Sequence, residues 1–274
     1  RAENRISTGI CPDRAVVPKS PAQEDRRVHF RKIRLIQEGA VAMEQKQKSL
    51  LDEKMQFFQE MLIQMGNRVE EAIYQAQHAF LNHDITLAKQ VIANDWFIDQ
   101  LQEMVENDGV RLLVSEAPYG HYMRHIVAGM KIVSNLERMG DHATHLAKMT
   151  ISEEQELFIP FVERISEMAL LGATMIRKAV EAFIEVKSEK AMEVAAMDDQ
   201  MDAARDALNA SLYSLKPNNE REMKRILNLF YLTKEMERMG DQVTTICRWI
   251  VYMDKGQRPR LNGPKQEPSN QNMS

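Results

Sequence analysis

Four pairs of acids at i, i+4 fall at matching places in this chain: Asp95/Asp99, Glu137/Asp141, Asp198/Asp202 and Glu237/Asp241. Like charges at that spacing destabilise a helix by roughly 0.2–0.5 kcal/mol per pair. Two of the pairs lie in a repeated string, Glu-Arg-Met-Gly-Asp at 137–141 and 237–241, which sets Gly140 and Gly240 between the acids. Glycine inside a helix costs roughly 1 kcal/mol. Carboxylates gathered in this way are hard oxygen donors, suited to magnesium, manganese, iron or similar ions. A glycine between them removes the side chain that would keep a facing backbone or a metal–water cluster at a distance.

Position separates this chemistry from a solvated acidic face. Asp95 lies on an apolar seam between Val91 and Ile98, and Asp198 lies between Val194 and Met201. Glu137 sits roughly 40° around the helix from Val133, at about 100° per residue. Carboxylates placed there need cations, because burying them alone is prohibitive. Arg138 and Arg238 are one residue away and point roughly 100° from their glutamates, toward a different surface. Metal is the remaining partner, and a purely structural acidic seam is the competing reading. His145 continues the Glu137, Asp141 row by one more turn and could add a nitrogen ligand, but its counterpart, Thr245, could not. A partly exposed surface histidine is the simpler reading of His145, and His142 is expected to face solvent. His121 and His125 read as surface or capping residues, and the 19 methionines read as flexible core filler. The chain has no P-loop, no dinucleotide fingerprint, no Cys/His zinc spacing and no nucleophile with its base. It also lacks the Glu-x-x-His motif of di-iron bundle enzymes.

Long helices must position these acids. Met55, Phe58, Leu62, Met65, Val69, Ala72, Ala76 and Ala79 alternate at spacings of three and four. After Asn82-His83-Asp84 a second helix carries Ala88, Val91, Ile98 and Val105 on one face. A third, beyond the turn at 115–120, carries Ile126, Val133, Leu136, Gly140, Ala143 and Ala147. The plan then returns. At an offset of 103, Met65, Phe80, Val91 and Asp95 fall on Met168, Phe183, Val194 and Asp198; at an offset of 100 the Glu-Arg-Met-Gly-Asp strings coincide. The spacing predicts an all-α chain with six long helices over 47–255 and breaks near 82–84, 114–119, 150–160, 186–189 and 215–219. Short connections make neighbours antiparallel, giving two tandem, pseudo-symmetric three-helix bundles. The expected division is an N-terminal extension over 1–46, largely disordered; a first bundle over 47–153; a second over 154–256; and a disordered tail over 257–274.

The 274 residues are 44% hydrophobic and 28% charged, with 11 Gly and 9 Pro, enough apolar material for a substantial core. A net charge of −4 argues against bulk nucleic-acid binding. Residues 1–34 are the exception, with nine Lys/Arg against four acids. That stretch reads as a disordered extension rather than a nucleic-acid or membrane-surface arm. Cys11 and Cys247 cannot build a disulfide framework, which fits a reducing compartment. Neither a secretory signal nor a membrane span is expected.

LERMGDHATHLAK (136–148) and MERMGDQVTTICRWI (236–250), each preceded by an Asp-x-x-x-Asp helix, resemble the PhoU family of phosphate-signalling regulators. The resemblance spans roughly residues 47–255. It implies a cytoplasmic, non-enzymatic, all-helical adaptor that negatively regulates the phosphate-starvation response. Such an adaptor links the ATPase subunit of a phosphate ABC transporter to a sensor histidine kinase, often as a homodimer. It also implies divalent or trivalent metal ions, single or in multinuclear clusters, of iron, manganese, zinc or magnesium. The ligands carried over are Asp95, Asp99, Glu137, Asp141, Asp198, Asp202, Glu237 and Asp241. The family's Asp-Leu-Arg at the start of the third helix is here Tyr122-Met123-Arg124, which keeps the arginine but not the acid. Residues 1–42 have no counterpart in the family pattern. Two other readings of the acids are a multinuclear-metal bundle enzyme (a hydrolase or oxidase) and a metal-free scaffold.

Overall fold

The computed structural model describes residues 21–152 and 159–259. Seven α-helices make up its regular structure: α1 (Pro21–Asn82), α2 (Ile85–Ser115), α3 (His121–Ile151), α4 (Ile159–Glu185), α5 (Ser188–Ala196), α6 (Asp198–Tyr213) and α7 (Glu220–Lys255). Among the described residues there is no strand, and no helix is long and apolar enough to cross a membrane. The chain divides into two compact units, Arg1–Asp52 and Glu53–Ser274. The opening part of α1 belongs to the first unit; the packing and sites below all belong to the second.

Two features differ from the sequence expectation. The stretch over 1–46 is helical from Pro21 onward, while residues 1–20, and 260–274 of the expected C-terminal tail, lie outside the described residues. Residues 21–46 lack a sustained apolar period but are rich in Arg, Gln, Glu and Ala, good helix formers by propensity alone. Pro21 takes the first helical position, where its missing N–H costs nothing. The second difference is a sixth break. The Met197 N–H bonds Val194 O at 3.0 Å and Gln200 N–H bonds Met197 O at 3.0 Å, so one tight turn divides α5 from α6. Asp198 thereby enters the first turn of α6, where the helix dipole favours an anion.

The two halves share a turn as well as a seam. Asp84 N–H bonds Ala79 O at 2.9 Å across His83 at φ 53°, and Lys187 N–H bonds Ala182 O at 3.1 Å across Val186 at φ 50°. Each is a left-handed helix stop of the same geometry, 103 residues apart. Only the first continues into a side-chain cap, with Asp84 accepting from Leu87 N–H at 2.9 Å. In the second half, Asp254 of α7 accepts from Ser188 N–H instead, at 3.3 Å.

Buried Met55, Phe58, Leu62, Met65, Val69, Ile73 and Ala76 line the inner face of α1. A Cβ at Gly129 of α3 would overlap the Phe58 ring, so α1 and α3 approach closely there. Helix α2 packs on α3, and α5 and α6 pack on α4 and α7. The halves meet along α3 and α7 and along α1 and α4. In the second of these contacts, Gly66 lies against Val180 and buried Gln77 Nε2 donates to Ser166 Oγ at 2.5 Å.

Candidate functional site: two acidic clusters and a histidine pair

Charge couples Asp95 and Asp99 of α2 with Glu137 and Asp141 of α3, but among the described residues no three of these acids place their oxygens as a converging ligand group. Burial pushes the Asp95, Asp99 and Glu137 carboxyls above their ordinary range. Asp99 and Asp141 push Asp95 further, Asp141 pushes Asp99, and the other three acids push Glu137. The Thr144 hydroxyl and Lys148 oppose this at Asp95, and Arg138 does so at Glu137. Among the described residues, no lysine or arginine forms an ion pair with any of the four.

Asp198, Asp202, Glu237 and Asp241 occupy the matching places on α6 and α7, but cations reach them. Arg205 Nη1 lies 2.8 Å from Asp202 Oδ1 and 2.7 Å from Glu237 Oε1, and Lys234 Nζ lies 2.5 Å from Glu237 Oε2. The residues equivalent to Arg205 and Lys234 in the first half are Gln102 and Ser134, which carry no charge. Burial and the charge of Glu237 still raise the Asp241 carboxyl, against Lys234.

The glycines make room for side chains of the facing helix, where the sequence suggested its backbone or a metal–water cluster. A Cβ on Gly140 would lie 3.0 Å from Ile98 Cδ1 and 3.4 Å from Asp95 Oδ1. On Gly240 it would overlap Asp198 Oδ1 and approach Met201 Cγ at 3.2 Å. In both halves the acid-bearing helix therefore rests on the bare backbone of the Glu-Arg-Met-Gly-Asp helix.

A third group was not anticipated. His142, expected in solvent, is buried at 7% exposure, and Glu235 of α7 is buried at 1%. His142 Nδ1 lies 2.8 Å, and half-buried His145 Nδ1 2.7 Å, from the same Glu235 Oε2. Arg238 Nη1 donates to Glu235 Oε1 at 2.9 Å, which gives this arginine the separate surface its helical angle implied. Burial lowers the His142 imidazole below its ordinary range, against the pull of Glu235. Burial works the other way on Glu235, yet the His145 and His142 bonds hold it below the usual carboxylate range. The i, i+3 spacings of His142 with His145 and of Glu235 with Arg238 were visible in the sequence. Their meeting across α3 and α7 was not, because neither pair recurs in the other half.

Comparison with known proteins agrees with both the fold and the repeat. The PhoU domain matches twice, over residues 62–150 and 165–250, reproducing the 103-residue offset at the start and the 100-residue offset at the end. The phosphate-specific transport system accessory protein PhoU homolog of Clostridium acetobutylicum is 30% identical over 202 residues, covering 73% of this chain and 92% of its own. The homolog of the same description from Streptococcus pneumoniae is 29% identical over 198 residues, 72% of this chain and 92% of that one. The crystal structure of the phosphate transport system regulatory protein PhoU from Streptococcus pneumoniae superposes with a TM-score of 0.69 at 26% identity, covering 77% of this chain and 99% of that one. PhoU from Pseudomonas aeruginosa gives 0.69 at 26%, covering 75% and 99%. Matched by the domain in both halves, and over most of its length by these relatives, the chain belongs to the PhoU family.

Proposed function

We propose that this protein is a cytoplasmic adaptor that restrains the phosphate-starvation response by linking a phosphate ABC transporter's ATPase subunit to a sensor histidine kinase. As a PhoU-family member it is an accessory protein of phosphate transport and not an enzyme. In this reading it works as a homodimer, and metal bound in its first helical bundle fixes the surfaces it presents.

One observation carries the metal part of the proposal: four charge-coupled carboxylates in the first half with no protein cation ion-paired to them. The all-oxygen donor set fits a hard ion, with Asp95, Asp99, Glu137 and Asp141 as ligands. Bound there, an ion supplies the positive charge that lets α2 and α3 close on each other. The second set fits less well. A metal at Asp198, Asp202, Glu237 and Asp241 must displace Arg205 and Lys234, so those residues favour a metal-free, ion-paired second bundle. Elemental analysis of protein purified without chelator tests this. Glu137→Gln with Asp141→Asn is expected to remove most of the bound metal, and Glu237→Gln with Asp241→Asn to remove little. Equal metal content in the parent and the first double variant refutes the site. The adaptor role is tested separately: deleting the gene should derepress phosphate-starvation genes in phosphate-rich medium, and unchanged expression refutes it.

A further inference from the structure

We infer that His142, His145 and Glu235 form a binding site for a zinc-class divalent ion between the two repeats, separate from the acidic clusters. Two imidazole nitrogens converge on one carboxylate oxygen at 2.8 and 2.7 Å, and all three donor atoms lie within 4.8 Å of one another. Two histidines and a glutamate are a three-ligand set that zinc takes with a fourth position left open. Imidazole favours zinc, cobalt, nickel or ferrous iron over magnesium, calcium and manganese. The ion class therefore differs from that of the all-oxygen cluster nearby on α3.

The surroundings are those of a ligand set rather than of a chance contact. The free oxygen of Glu235 is fixed by Arg238 at 2.9 Å, the kind of outer hydrogen bond that orients metal-bound carboxylates. Tyr231 OH lies 3.4 Å from His145 Nδ1, adding an oxygen at the more exposed side of the group. The repeat supplies an independent argument. Positions equivalent to His142, His145 and Glu235 are Gln242, Thr245 and Asn135. Two departures from the internal symmetry on α3 thus meet a third on α7, about 90 residues away. An ion held there ties α3 of the first half to α7 of the second.

The test uses the full chain carrying Glu137→Gln and Asp141→Asn, stripped with chelator and titrated with Co²⁺. With the first acidic cluster disabled, the result is independent of the metal reading proposed above. One equivalent of Co²⁺ is expected to give intense visible ligand-field bands of a nitrogen-containing site with few ligands, lost on adding Zn²⁺. His145→Gln, at a half-exposed position that the fold should tolerate, is expected to weaken binding by about 100-fold or more. Arg238→Gln should keep the bands and weaken binding by roughly 10-fold. Nitrogen NMR of the otherwise unaltered chain guards against a folding artefact: the Nδ1 resonances of His142 and His145 should both shift on adding Zn²⁺. Absence of the cobalt bands, bands that survive His145→Gln, or unmoved Nδ1 resonances would each overturn the site.

Discussion

Arg205→Gln puts into the second half the residue that the first half carries at Gln102. The substitution removes a guanidinium whose Nη1 lies 2.7 Å from Glu237 and 2.8 Å from Asp202, and whose Nη2 lies 2.9 Å from Asp206. The side chains of Asp202 and Asp206 are 49% and 70% exposed, so their pairs contribute only about 0–1 kcal/mol each. Glu237 decides the outcome, because its side chain is only 9% exposed and it loses a charged hydrogen bond of about 1.5–3 kcal/mol. Lys234 stays at 2.5 Å, which keeps the loss below the roughly 3–5 kcal/mol of a buried charge left wholly unpaired. A net loss of about 2 kcal/mol is expected, a fall of roughly 4–8 °C in Tm for a domain of this size. The mirror experiment has the opposite sign. In chelator, Glu137→Gln with Asp141→Asn relieves repulsion that no ion pair offsets, and should stabilise by a few tenths of a kcal/mol. Thermal and denaturant melts in chelator read both changes. If Arg205→Gln melts within about 1 °C of the parent, or the first-half double variant loses more than about 1 kcal/mol, the asymmetry between the clusters has been misjudged.

Gly140→Ala and Gly240→Ala should differ although their motifs are identical. The first meets only Ile98 and Asp95 at 3.0 and 3.4 Å and gains helix propensity, so it should be close to neutral. The second overlaps the Asp198 carboxylate and should cost about 1–2 kcal/mol in denaturant melts. Val186→Gly releases a β-branched residue from a left-handed conformation at φ 50° and should stabilise by about 0.5–1 kcal/mol, read as a rise in Tm. Cys247 is fully buried and its thiol is pushed up to about 12, so alkylation at pH 8 should wait for denaturant to unfold the chain.

The seams Ala88–Val91–Ile98–Val105 and Ile126–Val133–Leu136–Ala147 are buried as their spacing required, because helical period and burial report the same geometry. The acids of α2 and α3 were legible for a related reason: a charge on an apolar seam is visible in one dimension. Met197 was not readable as a break. Its counterpart Asn94, a turn former, lies within unbroken α2, whereas Met197 is not one and breaks the helix, so tertiary packing decides. Arg205 could have been found three residues after Asp202, but its bond to Glu237 depends on how α6 faces α7. Glu235 was out of reach, since a period within one helix says nothing about a partner 90 residues away.

The hydrogen bond from Gln77 to Ser166 is buried in the seam between the halves, along the same helix pair as the contact of Gly66 with Val180. Cutting the chain between α3 and α4 would strand both groups in an apolar face, and neither half should persist as a free monomer. Each half should instead seek a substitute for its sister, and its own copy is the nearest match in shape. A gene for residues 159–255 alone should then yield a two-fold self-complementary pair, in which α7 meets α7 where α3 now stands. Mixing the two fragments should dissolve such pairs in favour of the heterologous assembly, because only that one rejoins Gln77 with Ser166. The duplicated chain would then preserve, in covalent form, the outline of an ancestral two-subunit particle.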